Sequence, residues 1–177
     1  DPLTPPDVAR PIGDGLPETL GEWIDREGLT HLKIKLSGDD PAWDLERIKS
    51  VDRITEEGGR RRGPGAWWFS LDFNEKCRDA EQVLDLFDRL RIEAPGALEK
   101  IQYVEQPTAR DLKAHPEALM HRVAAVRPVV IDESLTGLDN LLLARERGYS
   151  GVALKTCKGH GQALLMAAYA QKHKLFL

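Results

Sequence analysis

Segments with strand patterns alternate with segments with helix patterns along this chain, and this alternation limits its fold more than any other feature. Short apolar or β-branched runs, typical of buried strands, cover residues 31–36, 66–73, 101–105, 129–132 and 152–155. Apolar residues recur at helical spacing in residues 17–28, 44–57, 79–90, 116–126, 138–147 and 161–174. Residues 175–177 are interpreted as the start of another strand. Such alternation predicts an α/β fold whose parallel strands are joined by helical crossovers.

Two parallel architectures agree with this pattern, a closed (β/α)₈ TIM-type barrel and an open doubly wound sheet. No predicted strand is followed by a glycine-rich phosphate loop, which argues against the nucleotide-binding form of the open sheet. A complete barrel needs roughly 250 residues. The chain has 177. We therefore predict that residues 1–177 form one incomplete barrel domain, either a fragment or the ordered part of a longer enzyme.

The composition excludes several classes of partner. A net charge of −4, with acids and bases interspersed, indicates neither a nucleic-acid surface nor a surface for anionic membranes. No apolar run approaches the ~20 residues that a membrane span requires. The 2 cysteines have no spacing that implies a disulfide framework. These features favour a reducing compartment, so we expect a cytoplasmic protein.

A charged residue lies at the carboxyl end of every predicted strand. These residues are Lys33 and Lys35, Asp72, Glu105, Asp132 and Lys155. In a (β/α)₈ barrel the carboxyl ends of all strands meet at one rim, and the active sites of this fold lie at that rim. The pattern therefore predicts a catalytic site built from these side chains.

Three of these residues, Asp72, Glu105 and Asp132, are acids that would repel one another at a semi-buried rim. A divalent cation relieves such repulsion, and ligation by oxygen atoms favours Mg²⁺ or Mn²⁺ over zinc. Each acid taken alone could equally cap a helix or end a strand beside solvent. The three together in this pattern favour a metal site.

Lysines are the second component of the predicted site. Lys33 and Lys35 lie two residues apart on a strand, so they share the face opposite to their apolar neighbours and point into the barrel. A neighbouring like charge and a nearby metal ion both lower the pKa of an ammonium group, so one of the two is a candidate general base. Lys155 would face the site from across the barrel, or else lie at the surface.

Five short motifs on successive predicted strands resemble those of the muconate-lactonizing branch of the enolase superfamily, in the mandelate racemase/muconate lactonizing enzyme family. The match spans roughly residues 31–161. The motifs are Leu32-Lys33-Ile34-Lys35 (KxK), Leu71-Asp72-Phe73-Asn74 (DxN), Val104-Glu105-Gln106-Pro107 (EQP), Ile131-Asp132-Glu133-Ser134 (DES) and Leu154-Lys155. They fall on the second to sixth barrel strands of that family, whose separate capping domain is not found in this sequence.

The resemblance implies a role for each motif residue. Asp72, Glu105 and Asp132 would bind Mg²⁺, Lys35 with Lys33 beside it would be the acid/base on one face of the substrate carbon, and Lys155 would serve the other face. Asn74, Gln106 and Glu133 would support these groups. The family moves the proton on the carbon next to a carboxylate, and its metal stabilises the resulting enediolate.

Several points stay open in the sequence. Asp132 and Glu133 are adjacent, and the motif alone selects Asp132 as the third ligand. Phe73 stands where the family commonly has a small residue, so its ring would either narrow the pocket or pack outside the barrel. We expect an isomerase, most readily a racemase or epimerase of N-acyl amino acids or dipeptides. A cycloisomerase or a dehydratase uses the same groups. The resemblance also implies a homo-oligomer.

Three other functions compete with this interpretation. A glutamate ligand at position 133 would favour the acid-sugar dehydratases of the mandelate racemase branch. A Schiff-base aldolase could use Lys155 as its nucleophile, although this leaves the three acids unexplained. A barrel that has lost catalysis would retain the charges without a role, and buried unpaired charges are costly.

Overall fold

Parallel strands that alternate with helices form the framework of the protein. The computed structural model describes residues 2–63 and 65–177. Within them, five parallel strands form one sheet in the order β1-β2-β3-β4-β5. The strands are β1 (His31–Lys35), β2 (Trp68–Asp72), β3 (Ile101–Glu105), β4 (Val129–Ile131) and β5 (Gly151–Val152). Neighbouring strands follow one another in chain order and all run in the same direction, as in part of a (β/α)₈ barrel. The described residues do not form a closed barrel.

Helices lie between successive strands, and one more helix lies before β1 and one after β5. They are α1 (Leu20–Glu27), α2 (Pro41–Arg62), α3 (Ala80–Glu93), α4 (Pro95–Lys100), α5 (His121–Ala124), α6 (Leu138–Glu146) and α7 (His160–Lys172). Short 3₁₀ turns cover Pro5–Asp7 and Thr156–Lys158. Across the described residues, none of the helices combines the length and the apolar character that a membrane crossing demands.

The predicted alternation is confirmed, but one predicted helix is wrong. In place of a helix over residues 116–126, the structure has a short helix at His121–Ala124. The preceding segment is held by tertiary contacts instead, because the Met120 N–H donates to the Arg147 carbonyl and the Met120 side chain is fully buried. Two further differences are the unpredicted α4 and the end of β5 at Val152, three residues before Lys155.

One face of the sheet is apolar and packs against the helices. Burial in β1 alternates strictly, with Leu32 and Ile34 buried and the intervening lysines exposed. Phe69 and Leu71 of β2 are completely buried. Because side chains alternate across a strand, these residues cover the helix-facing side and leave the other side to polar groups. The expectation that the lysines point away from the helices is confirmed.

The strand register places the charged residues of neighbouring strands side by side. Lys35 pairs with Asp72 across β1 and β2, and Asp72 pairs with Glu105 across β2 and β3. Paired residues of a parallel sheet project from the same face. The register alone therefore brings these three side chains to one end of one face.

The loop after β1 is fixed by a buried acid. The carboxylate of Asp44, in the first turn of α2, accepts hydrogen bonds from the N–H groups of Ser37 at 2.6 Å and Gly38 at 3.0 Å. Burial raises the pKa of Asp44, and these two hydrogen bonds offset part of that rise. This contact ties the carboxyl end of β1, where Lys35 lies, to the helix that follows it.

Gly148 offers a direct test of how tightly the segment before β5 packs. Its φ is +92°, and an added Cβ would lie 2.3 Å from the backbone nitrogen of His121. Gly15 has a φ of +80° and no neighbour within 4 Å of such a Cβ. Substitution by alanine costs about 1–2 kcal/mol at either site because of the positive φ. Only Gly148→Ala adds a steric clash, worth about 1–3 kcal/mol.

We therefore expect Gly148→Ala to lower the free energy of unfolding more than Gly15→Ala does, by about the cost of that clash. Urea denaturation followed by circular dichroism measures both variants. Equal losses would contradict the close contact between Gly148 and His121.

Candidate active site

Three buried carboxylates lie at the carboxyl ends of adjacent strands. Asp72 ends β2, Glu105 ends β3, and Asp132 directly follows β4. Their exposed fractions are 1%, 3% and 2%. Charged side chains are almost never buried to this degree unless they are paired. The ionic partners of these acids therefore determine what the site can do.

Lysines on both sides of the acids supply the opposite charge. Lys33 Nζ lies 2.9 Å from Asp72 Oδ2 and 2.7 Å from Glu105 Oε1, so it bridges two of the carboxylates. Lys35 also contacts Asp72. Lys155 Nζ lies 2.5 Å from Asp132 Oδ2. All six charged residues predicted for the site are thus brought together at one end of the sheet.

Burial and ion pairing act against each other on the acids. Burial raises the pKa of Asp72, but hydrogen bonds from Lys35, the Asn74 N–H and Lys33 outweigh it, and the pKa lies below its usual value. Burial also raises the pKa of Glu105. There the contact with Lys33 lowers the pKa, the neighbouring Asp132 carboxyl raises it, and the net shift is upward. The surroundings therefore favour the charged form of Asp72 and disfavour that of Glu105.

The carboxylates hold two of the lysines in their charged form. Burial lowers the pKa of Lys33, but hydrogen bonds to Glu105 and Asp72 outweigh this and raise it above the ordinary value. The hydrogen bond to Asp132 raises the pKa of Lys155. The sequence predicts a lowered pKa for one of the lysines on β1. For Lys33 the shift is upward, because two nearby acids outweigh the like charge of the neighbouring lysine.

Asn74 connects two of the charged residues to the backbone. Its φ of +52° lies in the left-handed region, which Asn adopts more readily than most residues. The side-chain Oδ1 accepts from Lys35 Nζ at 3.1 Å, and Nδ2 donates to the Leu36 carbonyl at 2.8 Å. Its backbone N–H donates to Asp72 Oδ1 at 2.9 Å. Asn74 thus supports both Lys35 and Asp72, as the resemblance implies.

Phe73 and Glu133 each follow one of the buried acids but have different surroundings. Phe73 is 1% exposed and its ring belongs to the hydrophobic core. Glu133 lines a separate cavity of about 300 Å³ together with Arg110 and Ser134. Its Oε2 is buried, with no hydrogen-bond partner among the described residues. Asp132 forms the ion pair with Lys155, whereas Glu133 acts on Lys155 only through its charge.

Sequence patterns missed an ion pair between the loops after β2 and β3. Arg110 Nε donates to Glu75 Oε2 at 2.7 Å, and the Arg110 N–H donates to the same oxygen at 3.1 Å. A second contact, between Arg110 Nη2 and Glu75 Oε1, makes the pair bidentate. The two residues are 35 positions apart, so no periodicity could have revealed the contact.

The donor set is chemically suited to a hard divalent cation. Asp72, Glu105 and Asp132 offer carboxylate oxygens only, the ligands that Mg²⁺ prefers. The Lys33 ammonium already places a positive charge between two of them. As the side chains stand, no three His, Cys, Asp or Glu residues in ranges 2–63 and 65–177 are arranged to hold a metal ion. Binding would therefore require the lysines to move off the carboxylates.

Comparisons with known proteins support the fold. A mandelate racemase/muconate lactonizing protein from Herpetosiphon aurantiacus is 26% identical, with a TM-score of 0.69, over 88% of this chain and 40% of that one. A Sorangium cellulosum structure described as a mandelate racemase/muconate lactonizing enzyme is 28% identical, with a TM-score of 0.64, over the same 88% and 40%.

A Bradyrhizobium enolase complexed with magnesium and mandelic acid shares the fold at 19% identity and a TM-score of 0.62, over 86% of this chain and 38% of that one. The chain thus spans about 40% of the length of the structures that it matches. No curated protein matches it by sequence.

The profile of the family described as enolase C-terminal domain-like matches residues 16–176. Because this match covers nearly the whole sequence, the chain belongs to the enolase C-terminal domain-like family, among the mandelate racemase and muconate lactonizing enzymes.

Proposed function

We propose that this chain carries the catalytic strand ends of a Mg²⁺-dependent enzyme that moves the proton on the carbon next to a carboxylate. The substrate is a small carboxylic acid, and the reaction class is isomerisation, most readily racemisation or epimerisation. Asp72, Glu105 and Asp132 are the proposed metal ligands.

One observation carries this proposal. In the order of the sheet, β1 carries two lysines, β2 and β3 each end in an acid, a third acid directly follows β4, and a lysine lies three residues beyond β5. The acids are therefore flanked by ammonium groups on both sides. A carboxylate bound at the centre would have Lys33 and Lys35 on one side of its α-carbon and Lys155 on the other.

Each lysine has a defined task in this arrangement. One of them, Lys35 with Lys33 beside it or Lys155 opposite, must first be a neutral amine. Its Nζ then accepts the α-proton, and the opposite lysine, still an ammonium group, returns a proton to the other face. Protons balance, and the configuration at the carbon inverts. When bound, Mg²⁺ would balance the charge of the three acids, hold the substrate carboxylate and stabilise the negative charge that forms as the proton leaves. Mn²⁺ offers similar coordination.

The substrate class follows from the resemblance alone. N-acyl amino acids and dipeptides carry an acidic α-proton beside a carboxylate, so they are our first candidates. A homo-oligomer and a cytoplasmic location stay predictions of the sequence, as does the absence of nucleic-acid and membrane partners.

Substitution of the proposed metal ligands tests the metal site. Asp72→Asn, Glu105→Gln and Asp132→Asn each remove a charged donor, and we expect each to weaken Mn²⁺ binding by at least about tenfold. The free Mn²⁺ signal in electron paramagnetic resonance titrations measures this affinity. Asp139→Asn, on the first turn of α6, is the matched control and should bind as the unmodified protein does.

A further pair of variants separates the adjacent acids. Asp132→Asn should weaken binding, whereas Glu133→Gln should not, because Glu133 faces another cavity. The reverse result would contradict the assignment of Asp132 and would favour the acid-sugar dehydratase branch.

Proton exchange at the α-carbon tests the catalytic part of the proposal. On the protein that carries this chain, NMR in D₂O should detect α-proton exchange on at least one dipeptide, N-acyl amino acid or sugar acid, and EDTA should abolish it. Lys155→Ala and Lys35→Ala should each lower exchange by roughly 10²–10⁴-fold for at least one stereoisomer. Lys172→Ala, at the exposed end of α7, should leave it unchanged.

Other outcomes favour the competing functions. Exchange that survives EDTA would contradict the metal mechanism and favour a Schiff-base aldolase that uses Lys155. Mn²⁺ binding without exchange on any acid would indicate a barrel that has lost catalysis.

A further inference from the structure

Tyr149 is a buried polar residue for which the proposed chemistry has no role. It lies two residues before β5 and is 3% exposed. Its hydroxyl lies 3.3 Å from Gln106 Nε2. Burial raises the pKa of Tyr149 to about 12, and the adjacent Thr108 and Gln106 side chains offset this only in part. The residue is therefore a neutral phenol whose hydroxyl is available to accept a hydrogen bond.

Gln106 is fully buried and uses both ends of its amide. Oε1 accepts from the N–H groups of Asp132 at 3.1 Å and Ser134 at 3.2 Å. Nε2 donates to the Thr108 carbonyl at 3.1 Å and to the Tyr149 hydroxyl. Two backbone donors at one end and a backbone acceptor at the other admit only one orientation of the amide. Gln106 thus links the loops after β3 and β4 to the segment before β5.

This link lies where the strand ladder is weakest. β4 has three residues and β5 has two, and Asp132 is one position beyond the end of β4. The Asp132 N–H donates to Gln106 Oε1, a side chain, and not to a neighbouring strand. The position of the Asp132 backbone therefore depends on where the Gln106 amide is held.

We propose that Tyr149 is a positioning residue of the active site. Its hydroxyl fixes the Gln106 amide, and the amide fixes the backbone of Asp132, so that the Asp132 carboxylate stays beside Glu105 and Lys155. Since Tyr149 lies on the segment that leads into β5 and Lys155, the same contact sets the spacing between the third acid and the opposed lysine. The hold of Tyr149 on the Asp132 backbone rests on the hydrogen-bond network. Its effect on metal binding and proton transfer rests also on the proposed function.

Removal of the hydroxyl has a specific cost. In Tyr149→Phe the ring still fills its site, but one N–H of Gln106 loses its acceptor in a buried environment. A buried donor without a partner is unfavourable, so the amide will shift toward another acceptor and loosen its hold on Asp132 and Ser134.

Amide hydrogen exchange measured by NMR tests the structural step without any substrate or metal. In Tyr149→Phe we expect exchange at Asp132 and Ser134 to be about fivefold to tenfold faster. Exchange at the central β2 residues Phe69 and Leu71 should not change. The matched control is Tyr169→Phe, which removes a hydroxyl that accepts from Arg145 at 2.8 Å on the exposed surface of α7. It should leave Asp132 and Ser134 unaffected.

A double-mutant cycle tests whether Tyr149 acts through Gln106. Gln106→Met keeps the volume of the side chain and removes the acceptor for both N–H groups, so it should itself accelerate exchange at Asp132 and Ser134. Adding Tyr149→Phe to it should then produce no further acceleration at these two amides. Additive acceleration would overturn the proposal, as would unchanged exchange in Tyr149→Phe. If Tyr149→Phe accelerates every amide alike, it has destabilised the whole fold, and this result also counts against a positioning role.

The catalytic consequence has its own readout. We expect Tyr149→Phe to weaken Mn²⁺ affinity by about tenfold. We also expect it to lower kcat with little change in KM, whereas Tyr169→Phe should change neither. Faster amide exchange with unaltered Mn²⁺ affinity and kcat would overturn the link to the active site. Failure of the unmodified protein to bind Mn²⁺ or to exchange any α-proton would contradict the proposed function instead, and the amide exchange would still decide the structural step.

Discussion

The site is organised around the electrostatic cost of burying three carboxylates at neighbouring strand ends. Asp72, Glu105 and Asp132 are each no more than 3% exposed. Like charges that are buried side by side are strongly unfavourable unless cations compensate them. Lys33 compensates two of the acids at once, and Lys155 compensates the third. Burial and the neighbouring Asp132 carboxyl together raise the pKa of Glu105 more than the contact with Lys33 lowers it.

The sheet can bring these charges together because one of its faces is apolar and buried while the other carries the polar groups. The helix-facing side supplies the hydrophobic core, with Phe69 and Leu71 completely buried, and leaves the opposite face for polar groups. A parallel register then aligns Lys35, Asp72 and Glu105 without any special loop. Beyond Glu105 the strands are too short for the ladder to do the same, and side chains such as Gln106 take over.

The features that depend on local periodicity could be predicted from the sequence. The five strands, the face on which Lys33 lies and the grouping of the charged strand ends all follow from two-residue and helical repeats. Features that depend on distant partners could not be predicted. The segment before His121 is not helical because Met120 bonds to Arg147, and the role of Tyr149 arises from a contact with Gln106, 43 positions away. The upward pKa shift of Lys33 could not be predicted for a related reason: it depends on how close Glu105 and Asp72 lie in space.

The adjacency of Asp132 and Glu133 shows how a single backbone position controls the chemistry. Asp132 directly follows β4, and Glu133 and Ser134 form a turn, so a shift of the chain by one residue would replace the aspartate with the longer glutamate at the rim. With only three residues, β4 fixes this register weakly. The Ala153 N–H adds one more hydrogen bond, to the Ile131 carbonyl. A further constraint comes from the N–H groups of Asp132 and Ser134, which both donate to Gln106 Oε1. These two groups flank Glu133, so a one-residue slip would break both bonds and bury the donors unpaired. The identity of the third acid is therefore set by a buried amide on the preceding strand as much as by the motif in which it occurs.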